Sequence, residues 1–216
     1  MRTLLKAHID VGAFDFSELD KKRPALEIRR RTVQILTRSL LVEKGFLSFE
    51  HAQTVEIHRL KSGKPFLKST QNINHLLPSI SISHSRSWIA CLLSDNKAPA
   101  CLDIEDITAN RAYKKLSAYA FSKEENQFVL QTGQLGFYKL WTAKEAIAKC
   151  SGKGLSHALK IDLSFQLANS VLNTPIVVKT EDGNYQILQQ IADDDLLVSI
   201  AKKAVLSVRA AYDHSH

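Results

Sequence analysis

The sequence predicts a mixed α/β fold for a chain of 216 residues. Two regions have the apolar spacing of helices, and each is followed by a group of short strand patterns. The hydrophobic content of 44% is ordinary for a globular protein with a buried core. The length suits one large domain or two small ones.

The N-terminal part is expected to contain one long helix and several strands. The helix pattern is rich in leucine and arginine and ends at Gly45, while the strands show alternating or short apolar patterns. The residues Asp95, Asn96 and Lys97 form a turn signal that predicts a hairpin between the last two of these strands. The predicted elements are a strand within 4–14, a helix over 17–44, and strands over 54–60, 80–83, 87–94 and 100–105.

Two further helices precede a C-terminal group of strands. Ser122 and Glu125 have the spacing of a capping box, which predicts a helix that runs to about residue 131. A second helix is expected over about 135–149, with Gly152 able to end it. Asp182 and Gly183 predict a tight turn. The strands predicted here are 161–163, 176–179, 185–190, 196–201 and 204–209.

Three acidic residues and one lysine carry the strongest chemical signal. Glu145 and Lys149 are four residues apart on a predicted helix and so share one face. Asp103 and Glu105 are two apart on a predicted strand and point to the same side. Carboxylates that meet repel each other unless a hard cation neutralises them, and oxygen ligands favour Mg²⁺. Each pair alone is common as a solvated strand end or a surface ion pair, so the combination is what indicates a metal site.

Several basic and hydroxyl residues are candidates for binding an anion. Lys64 lies on a Gly-Lys-Pro turn, which suits a point charge for a phosphate. Ser83 and His84 precede an apolar strand and could donate to phosphate oxygens. The run 29–31 is three arginines. Each of these has an ordinary alternative: a surface turn, a hydrogen-bonded histidine or a solvated helix face.

The charge and cysteine content limit the class of protein. Lys and Arg exceed Asp and Glu by seven, which indicates either an anionic partner or simple solubility. The three cysteines form no C-x-x-C pair, so a reducing cytoplasm is the expected location. The N-terminus lacks a clean signal-peptide core, and no apolar run is long enough to span a bilayer.

Four segments resemble, in order, the motifs of the 4'-phosphopantetheinyl transferases of the larger Sfp type. The last matches the family pattern W-[ST]-x-K-E-A-x-x-K at every fixed position and is highly specific. The resemblance continues through Gly152 to Leu155 and includes an element at Phe121, Ser122 and Glu125, so that it covers about 62–155. The four segments are Gly63-Lys64-Pro65, Ile82-Ser83-His84-Ser85, Leu102-Asp103-Ile104-Glu105 and Trp141-Thr142-Ala143-Lys144-Glu145-Ala146-Ile147-Ala148-Lys149.

The resemblance implies the fold of that family, an α/β (α+β) chain of two similar halves related by a pseudo-twofold axis. The expected division lies near Ala98, with 1–98 contacting the coenzyme A nucleotide and 99–216 holding the metal site and catalytic helix. Because one chain would supply both halves of the site, a monomer is expected.

The resemblance also implies a reaction. Phosphopantetheine would move from coenzyme A to a serine of an apo acyl or peptidyl carrier protein, giving holo carrier protein and 3',5'-ADP. Asp103, Glu105 and Glu145 would bind Mg²⁺, with Mn²⁺ as an alternative, and Glu145 would also be the general base. Lys149 would assist the leaving group. Lys64, Ser83, His84 and Lys144 would bind the nucleotide phosphates, together with one of the arginines at 29–31.

The expected partner is an acidic carrier protein of fatty-acid, polyketide or nonribosomal-peptide biosynthesis, attracted by the positive charge, with no role for nucleic acid or membrane. Three residues depart from the common family pattern: Cys101 where Gly is frequent, Ser81 where Asn is frequent, and Arg86 where a small residue is common. The alternatives are a Mg²⁺-dependent phosphodiesterase or nuclease, and a non-catalytic protein that binds coenzyme A or another nucleotide.

Overall fold

The N-terminal part of the computed structural model is built from an antiparallel sheet, a two-stranded ribbon and a long helix. The structure describes residues 9–13, 22–192 and 195–204. Its first elements are β1 (Ile9–Ala13), α1 (Lys22–Glu43), α2 (Phe49–Gln53), β2 (Val55–Arg59), β3 (Pro65–Ser69), a 3₁₀ turn (Asn74–Leu76), β4 (Ser79–Ser85) and β5 (Trp88–Ser94).

The first sheet has the strand order β1-β5-β4, and β2 pairs with β3 in a separate ribbon. The apolar side of α1 packs on both, because Leu40 and Leu41 are fully buried beside Val55 and Cys91. Gly45 ends the helix with a φ of 70°, a backbone conformation that other residues adopt only with strain.

The C-terminal part is a four-stranded antiparallel sheet covered by a long helix. Its strand order is β6-β9-β8-β7. Phe137, Tyr138, Leu140 and Ile147 of the helix are fully buried against the sheet and form the largest core. The elements are β6 (Ala100–Asp106), α3 (Tyr113–Ala120), α4 (Lys123–Ser151), α5 (Leu155–Ala158), α6 (Ser164–Ala168), β7 (Ile176–Thr180), β8 (Gly183–Ala192) and β9 (Leu196–Lys203).

The predicted capping box and the predicted break in the helix are both confirmed. The Ser122 hydroxyl accepts from the Glu125 backbone N–H, and the Glu125 carboxylate accepts from the Ser122 N–H. Within α4, Gly133 has φ 71° and ψ −151°, which divides the helix into two segments. The second segment therefore presents a straight run from Gln134 to Ser151 to the sheet.

Two sequence predictions are wrong, and part of others lies outside the described residues. Strand β6 does not form a hairpin with β5, because β1 and β4 occupy both edges of β5 and β6 pairs with β9 instead. The predicted strand 161–163 is a non-regular segment before α6, in which Leu163 is buried as a core residue. The predictions for 4–8, 14, 17–21 and 205–209 fall outside the described ranges.

The two sheets meet at a seam between β4 and β6 made by serine hydroxyls instead of a backbone ladder. Ser81, Ser83 and Ser85 alternate along β4, so their side chains share one face. Their hydroxyls accept from the backbone N–H groups of Leu102, Ile104 and Asp106 at 3.0, 3.4 and 3.1 Å. The seam thereby brings the Ser-His-Ser motif beside the strand that carries Asp103 and Glu105.

The mixed α/β prediction is confirmed, whereas the pseudo-twofold relation between two halves and their division near Ala98 stay predictions. Among the described residues, no helix is long and apolar enough to cross a membrane.

Candidate active site

A cleft of about 340 Å³ lies where β6, the C-terminal end of α4 and the Gly-Lys-Pro turn meet. Lys64 lines it from the turn, and Glu145 and Lys149 line it from the helix. Ser81 and Cys101 contribute from the seam. The motifs that are separated by 80 residues in sequence therefore face one cavity.

Asp103 is a buried carboxylate with two strong donors. Its Oδ1 atom accepts from the Ser83 hydroxyl at 2.6 Å and from Lys149 Nζ at 2.7 Å. The residue is only 6% exposed, so this charge depends on those donors in place of water. Lys149 also donates to the Leu102 carbonyl at 3.1 Å, which fixes its ammonium group over β6.

Glu105 is buried one step further along the same face of β6. Its Oε2 atom accepts from Ser85 at 2.6 Å and from Arg111 Nη2 at 2.9 Å. Burial nevertheless raises the pKa of Glu105, because desolvation exceeds the opposing contributions of Ser85 and Arg111, and Asp103 adds repulsion. Glu105 is therefore a carboxylate that gains stability from any further positive charge.

Glu145 is half-buried at the cleft, and its pKa is raised. The main cause is burial, followed by repulsion from Asp103, while Lys149 acts in the opposite direction. Among the described residues, the structure gives Glu145 no hydrogen-bond donor comparable with those of Asp103 and Glu105. A carboxylate with a raised pKa and open lone pairs is suited to accept a proton or bind a cation.

The donor set fits a hard divalent cation, although its geometry is not that of a formed metal site. Within the described ranges, no three His, Cys, Asp or Glu side chains are grouped closely enough to hold a metal ion. Lys149 and Arg111 instead neutralise Asp103 and Glu105. All three candidate ligands offer carboxylate oxygens, which Mg²⁺ and Mn²⁺ prefer, and mutual repulsion already affects Glu105 and Glu145. Metal binding by these residues stays a prediction.

A second cavity of about 530 Å³ adjoins the first through two residues that line both, Arg59 and Ile82. His84 is exposed and lines this second cavity, as do Arg29 and Arg30 of α1. The two cavities together form a cationic path from Lys64 to the arginines of α1. Such a path matches a ligand with several phosphates.

The structure separates Ser83 from the other candidate phosphate ligands. Ser83 is buried, and its hydroxyl is engaged by Asp103, Lys149 and the Ile104 N–H. The placement makes Ser83 a support for Asp103 and Lys149, in contrast to Lys64 and His84, which line the open cavities.

Lys144 lies on the opposite side of α4 from the cleft and does not line either cavity. Its side chain is fully buried and pairs with Glu125 at 2.8 Å. It also donates to the carbonyls of Ala158, Leu159 and Ile161. This fully buried environment is typical of a structural residue, and the phosphate contact of Lys144 stays a prediction.

An ion pair links residues 152–155, the glycine-containing wall of the cleft, to the turn between β7 and β8. Gly152, Gly154 and Leu155 line the cavity, and Lys153 between them pairs with Asp182. The same carboxylate lies 2.6 Å from Nε2 of His157. Asp182, found in sequence only as a turn residue, thus positions this wall.

Arg111 was missed by sequence reasoning, and Ser85 was expected only as a possible donor to phosphate, not as a donor to Glu105. Arg111 is six residues after Glu105 in a loop, and no periodic pattern indicates that it returns to that carboxylate. Ser85 had a usable signal, because the alternation of Ser81, Ser83 and Ser85 on a strand predicts three hydroxyls on one face. Its hydrogen bond to Glu105 could not be deduced from the sequence, because that contact depends on how the two sheets meet at the seam.

Comparison with known proteins gives consistent results over the same region. Residues 101–201 match the family model described as the 4'-phosphopantetheinyl transferase superfamily. The 4'-phosphopantetheinyl transferase gsp of Aneurinibacillus migulanus is 29% identical over 161 residues, which cover 68% of this chain and 62% of the relative. The 4'-phosphopantetheinyl transferase psf-1 of Bacillus pumilus is 28% identical over 67% of this chain and 61% of its own length.

A further relative, the 4'-phosphopantetheinyl transferase of Bacillus subtilis, is 34% identical over 97 residues, which cover 44% of this chain and 40% of the relative. The chain spans about three fifths of the length of the first two relatives it matches. The matched region contains all of β6 except Ala100, the whole of α4, and the three acidic residues Asp103, Glu105 and Glu145. Residues 101–201 of this chain are therefore similar to the 4'-phosphopantetheinyl transferase superfamily.

Proposed function

We propose that this protein transfers 4'-phosphopantetheine from coenzyme A to a serine of an apo acyl or peptidyl carrier protein. The observation that carries the proposal is that Glu145 and Lys149 of α4 line one cleft with Lys64, while Lys149 pairs with Asp103 on β6 and Glu145 experiences the charges of Asp103 and Glu105. The names of the matched relatives support this reaction class.

The reaction joins the serine oxygen to the β-phosphorus of coenzyme A and breaks the bond from that phosphorus to the oxygen of 3',5'-ADP. Glu145 accepts the serine proton, because its pKa is raised and its carboxylate faces the cleft. Lys149 stabilises the negative charge that develops on the departing 3',5'-ADP. Ser83 and Asp103 hold the Lys149 ammonium group in place.

Lys64 and His84 bind the phosphates of coenzyme A at two points of the cationic path. Lys64 lines the first cavity beside Glu145, and His84 lines the second beside Arg29 and Arg30. Two binding points in two adjoining cavities suit a ligand that carries both a pyrophosphate and a separate 3'-phosphate. Arg59 borders both cavities and contributes positive charge between them.

Asp103, Glu105 and Glu145 would hold Mg²⁺, and Mn²⁺ is the alternative. When bound, the ion supplies charge neutralisation for the pyrophosphate. The same site must then release or share the contacts that Lys149 and Arg111 make with Asp103 and Glu105.

The remaining parts of the proposal concern partner and organisation. A net charge of +7 favours encounter with an acidic carrier protein. The two-half arrangement with a pseudo-twofold axis, the division near Ala98 and a cytoplasmic monomer belong to the proposal as well, since one chain brings Lys64 and Glu145 to one cleft.

The test is intact-protein mass spectrometry of apo carrier proteins incubated with this protein, coenzyme A and Mg²⁺. We expect a gain of one phosphopantetheine mass that is lost in EDTA. Glu145→Gln serves as the matched control, because it keeps the size of the side chain and removes the base and the metal ligand.

Two results would contradict the proposal. One is the absence of any gain with fatty-acid, polyketide and nonribosomal-peptide carriers. The other is normal transfer by Glu145→Gln with an unchanged melting curve. Cleavage of coenzyme A without transfer would favour a phosphodiesterase, and binding of coenzyme A without turnover would favour a binding protein.

A further inference from the structure

Two cysteines lie where strand β6 and the end of helix α4 meet, beside the candidate active-site cleft. Cys101 lies on β6 and lines the cavity with Lys64 and Lys149. Cys150 follows Lys149 directly near the end of α4. One cysteine is therefore on the strand that carries Asp103, and the other is on the helix that carries Glu145.

Backbone contacts place the Cys150 sulfur beside Cys101. Its Sγ atom lies 3.2 Å from the carbonyl oxygen of Ala201 and 3.6 Å from that of Pro99. Ala201 is the residue of β9 that is paired directly with Cys101, and Pro99 precedes Cys101 by two residues. The Cys150 sulfur therefore lies next to the Cys101 position, between β9 and the residue that precedes β6.

We propose that Cys101 and Cys150 form a reversible disulfide when the protein meets hydrogen peroxide. The Cys101 sulfur attacks one peroxide oxygen, the O–O bond breaks, and a sulfenic acid and water result. The Cys150 sulfur then attacks the Cys101 sulfur and displaces a second water. In total, two thiols lose two hydrogens and one hydroperoxide is reduced, so that no other reactant is needed.

The pair satisfies the usual requirements for such chemistry. Cys101 is nearly buried within the fold, yet it borders an open cavity that a small peroxide can enter. Cys150, whose sulfur lies 3.2 Å from the carbonyl oxygen of the residue paired with Cys101, is placed to act as the resolving thiol, which favours a disulfide over further oxidation of Cys101. In a reducing compartment, a disulfide of this kind is transient and works as a sensor.

The cross-link would alter the cleft, a consequence that rests on the proposed function. A disulfide holds its two sulfurs about 2 Å apart with a specific dihedral angle, so the bond would constrain the last turn of α4 against β6. Lys149 is adjacent to Cys150, and Asp103 is two residues from Cys101. We expect oxidation to slow phosphopantetheine transfer and a thiol reductant to restore it.

The first measurement follows the covalent chemistry and needs no activity. The reduced protein is treated with hydrogen peroxide, the peroxide is removed, the remaining thiols are blocked with N-ethylmaleimide in denaturant, and the mass is recorded. We expect one blocked cysteine in place of three, together with the loss of two hydrogens. Trypsin should then give a linked pair of the peptides 98–111 and 150–153, which dithiothreitol separates.

The third cysteine provides the matched control. Cys91 is completely buried in the N-terminal core, away from the cleft. We expect Cys91→Ala to form the cross-link as the parent does, and Cys150→Ala and Cys101→Ser each to block it. Two blocking variants are used so that the test still holds if one of them does not fold. Circular dichroism shows whether each variant is folded.

The second measurement is the rate of carrier modification before and after peroxide. The parent and Cys91→Ala should lose activity reversibly, and Cys150→Ala should resist. Three blocked thiols after peroxide, or a link that involves Cys91, would overturn the proposal. If the reduced protein modifies no carrier at all, the proposed function fails, whereas the linked peptide still supports the disulfide.

Discussion

Two lysines on α4 have opposite environments although only five residues separate them. Lys144 is fully buried and pairs with Glu125, which is fully buried as well. Lys149 is about one third exposed and reaches Asp103 at the edge of the cleft. A lysine therefore serves as a structural ion pair at one position of the helix and as a charge held at the cleft at the other.

The comparison shows that burial, and not residue type, determines the different roles of the two lysines. Burial lowers the pKa of Lys144, and the Glu125 carboxylate opposes that shift. The cost of burying the pair is offset by further bonds: Glu125 accepts from the N–H groups of Ser122 and Leu163, and Lys144 donates to three carbonyls. The ion pair fixes α4 against the segment after α5, which in turn orients Glu145 on the neighbouring face.

The largest effect on stability is expected for Lys144→Ala. This change leaves the Glu125 charge buried without its partner, and we expect a loss of about 3–5 kcal/mol in the free energy of unfolding. Urea denaturation followed by circular dichroism measures it, with Lys149→Ala as the matched control. A double variant, Glu125→Leu with Lys144→Met, should recover part of the loss because no charge remains buried. A loss below that of Lys149→Ala would contradict the structural role.

Lys149→Ala should act more on the reaction than on the fold. We expect the single-turnover transfer rate to fall by about 10²-fold, because the developing charge on 3',5'-ADP loses its cation. The free energy of unfolding should fall by about 1–3 kcal/mol, less than for Lys144→Ala, because the buried Asp103 loses one donor and keeps Ser83. Rapid-quench kinetics with saturating coenzyme A separates rate from affinity. An unchanged rate with weaker binding would remove Lys149 from the leaving-group role.

The serine seam allows a third test, with an expected effect of intermediate size. It concerns strand β4, whose Ser83 accepts a hydrogen bond from Lys149. Ser85→Ala removes a donor to the buried Glu105 and an acceptor for the Asp106 N–H. We expect a loss of about 1–3 kcal/mol in stability. Ser79→Ala is the matched control on the same strand, because the Ser79 hydroxyl bonds only the exposed Asn96 side chain. Equal melting temperatures for the two variants would show that the seam does not contribute.

Glu145→Gln is expected to increase the stability of the protein, in contrast to the preceding variants, which decrease it. Burial and the charge of Asp103 raise the pKa of Glu145 above its ordinary value of 4.5, so the folded state holds this proton more tightly than the unfolded state does. The ionised carboxylate therefore costs stability at pH values above its folded-state pKa, and no cost remains below pH 4.5.

Replacement of Glu145 by glutamine should raise the melting temperature at neutral pH in metal-free buffer, and this gain should disappear at acid pH. A gain that is independent of pH would point to packing and not to charge.

The sequence predicted the existence and type of most elements because their patterns are local. Gly133 and Gly152 interrupt a helical pattern, and the capping box at Ser122 marks its start, so α4 was predicted closely. The hairpin from β5 to β6 was wrong because partner choice depends on the whole sheet, in which β6 pairs with β9. Short helices such as α3 lack a pattern long enough to detect.

The candidate site was predictable to the extent that its residues share a face of one element. The spacing of Glu145 and Lys149, and that of Asp103 and Glu105, indicated a common cluster, and the structure brings Lys149 to Asp103. The role of Lys144 was not predictable, because one residue along a helix turns the side chain by about 100° and sends it to another environment. Arg111 depended on a loop whose path has no periodic signal.

The serine seam also has a consequence for self-association. A strand whose outer N–H groups are unpaired is a template on which a second chain can add, and many proteins protect such edges with charge or bulges. In β6, the hydroxyls of Ser81, Ser83 and Ser85 already occupy that row of donors. The acidic strand of this cleft is thus shielded from β-aggregation by three small side chains, and solubility and active-site architecture depend on the same hydroxyl groups.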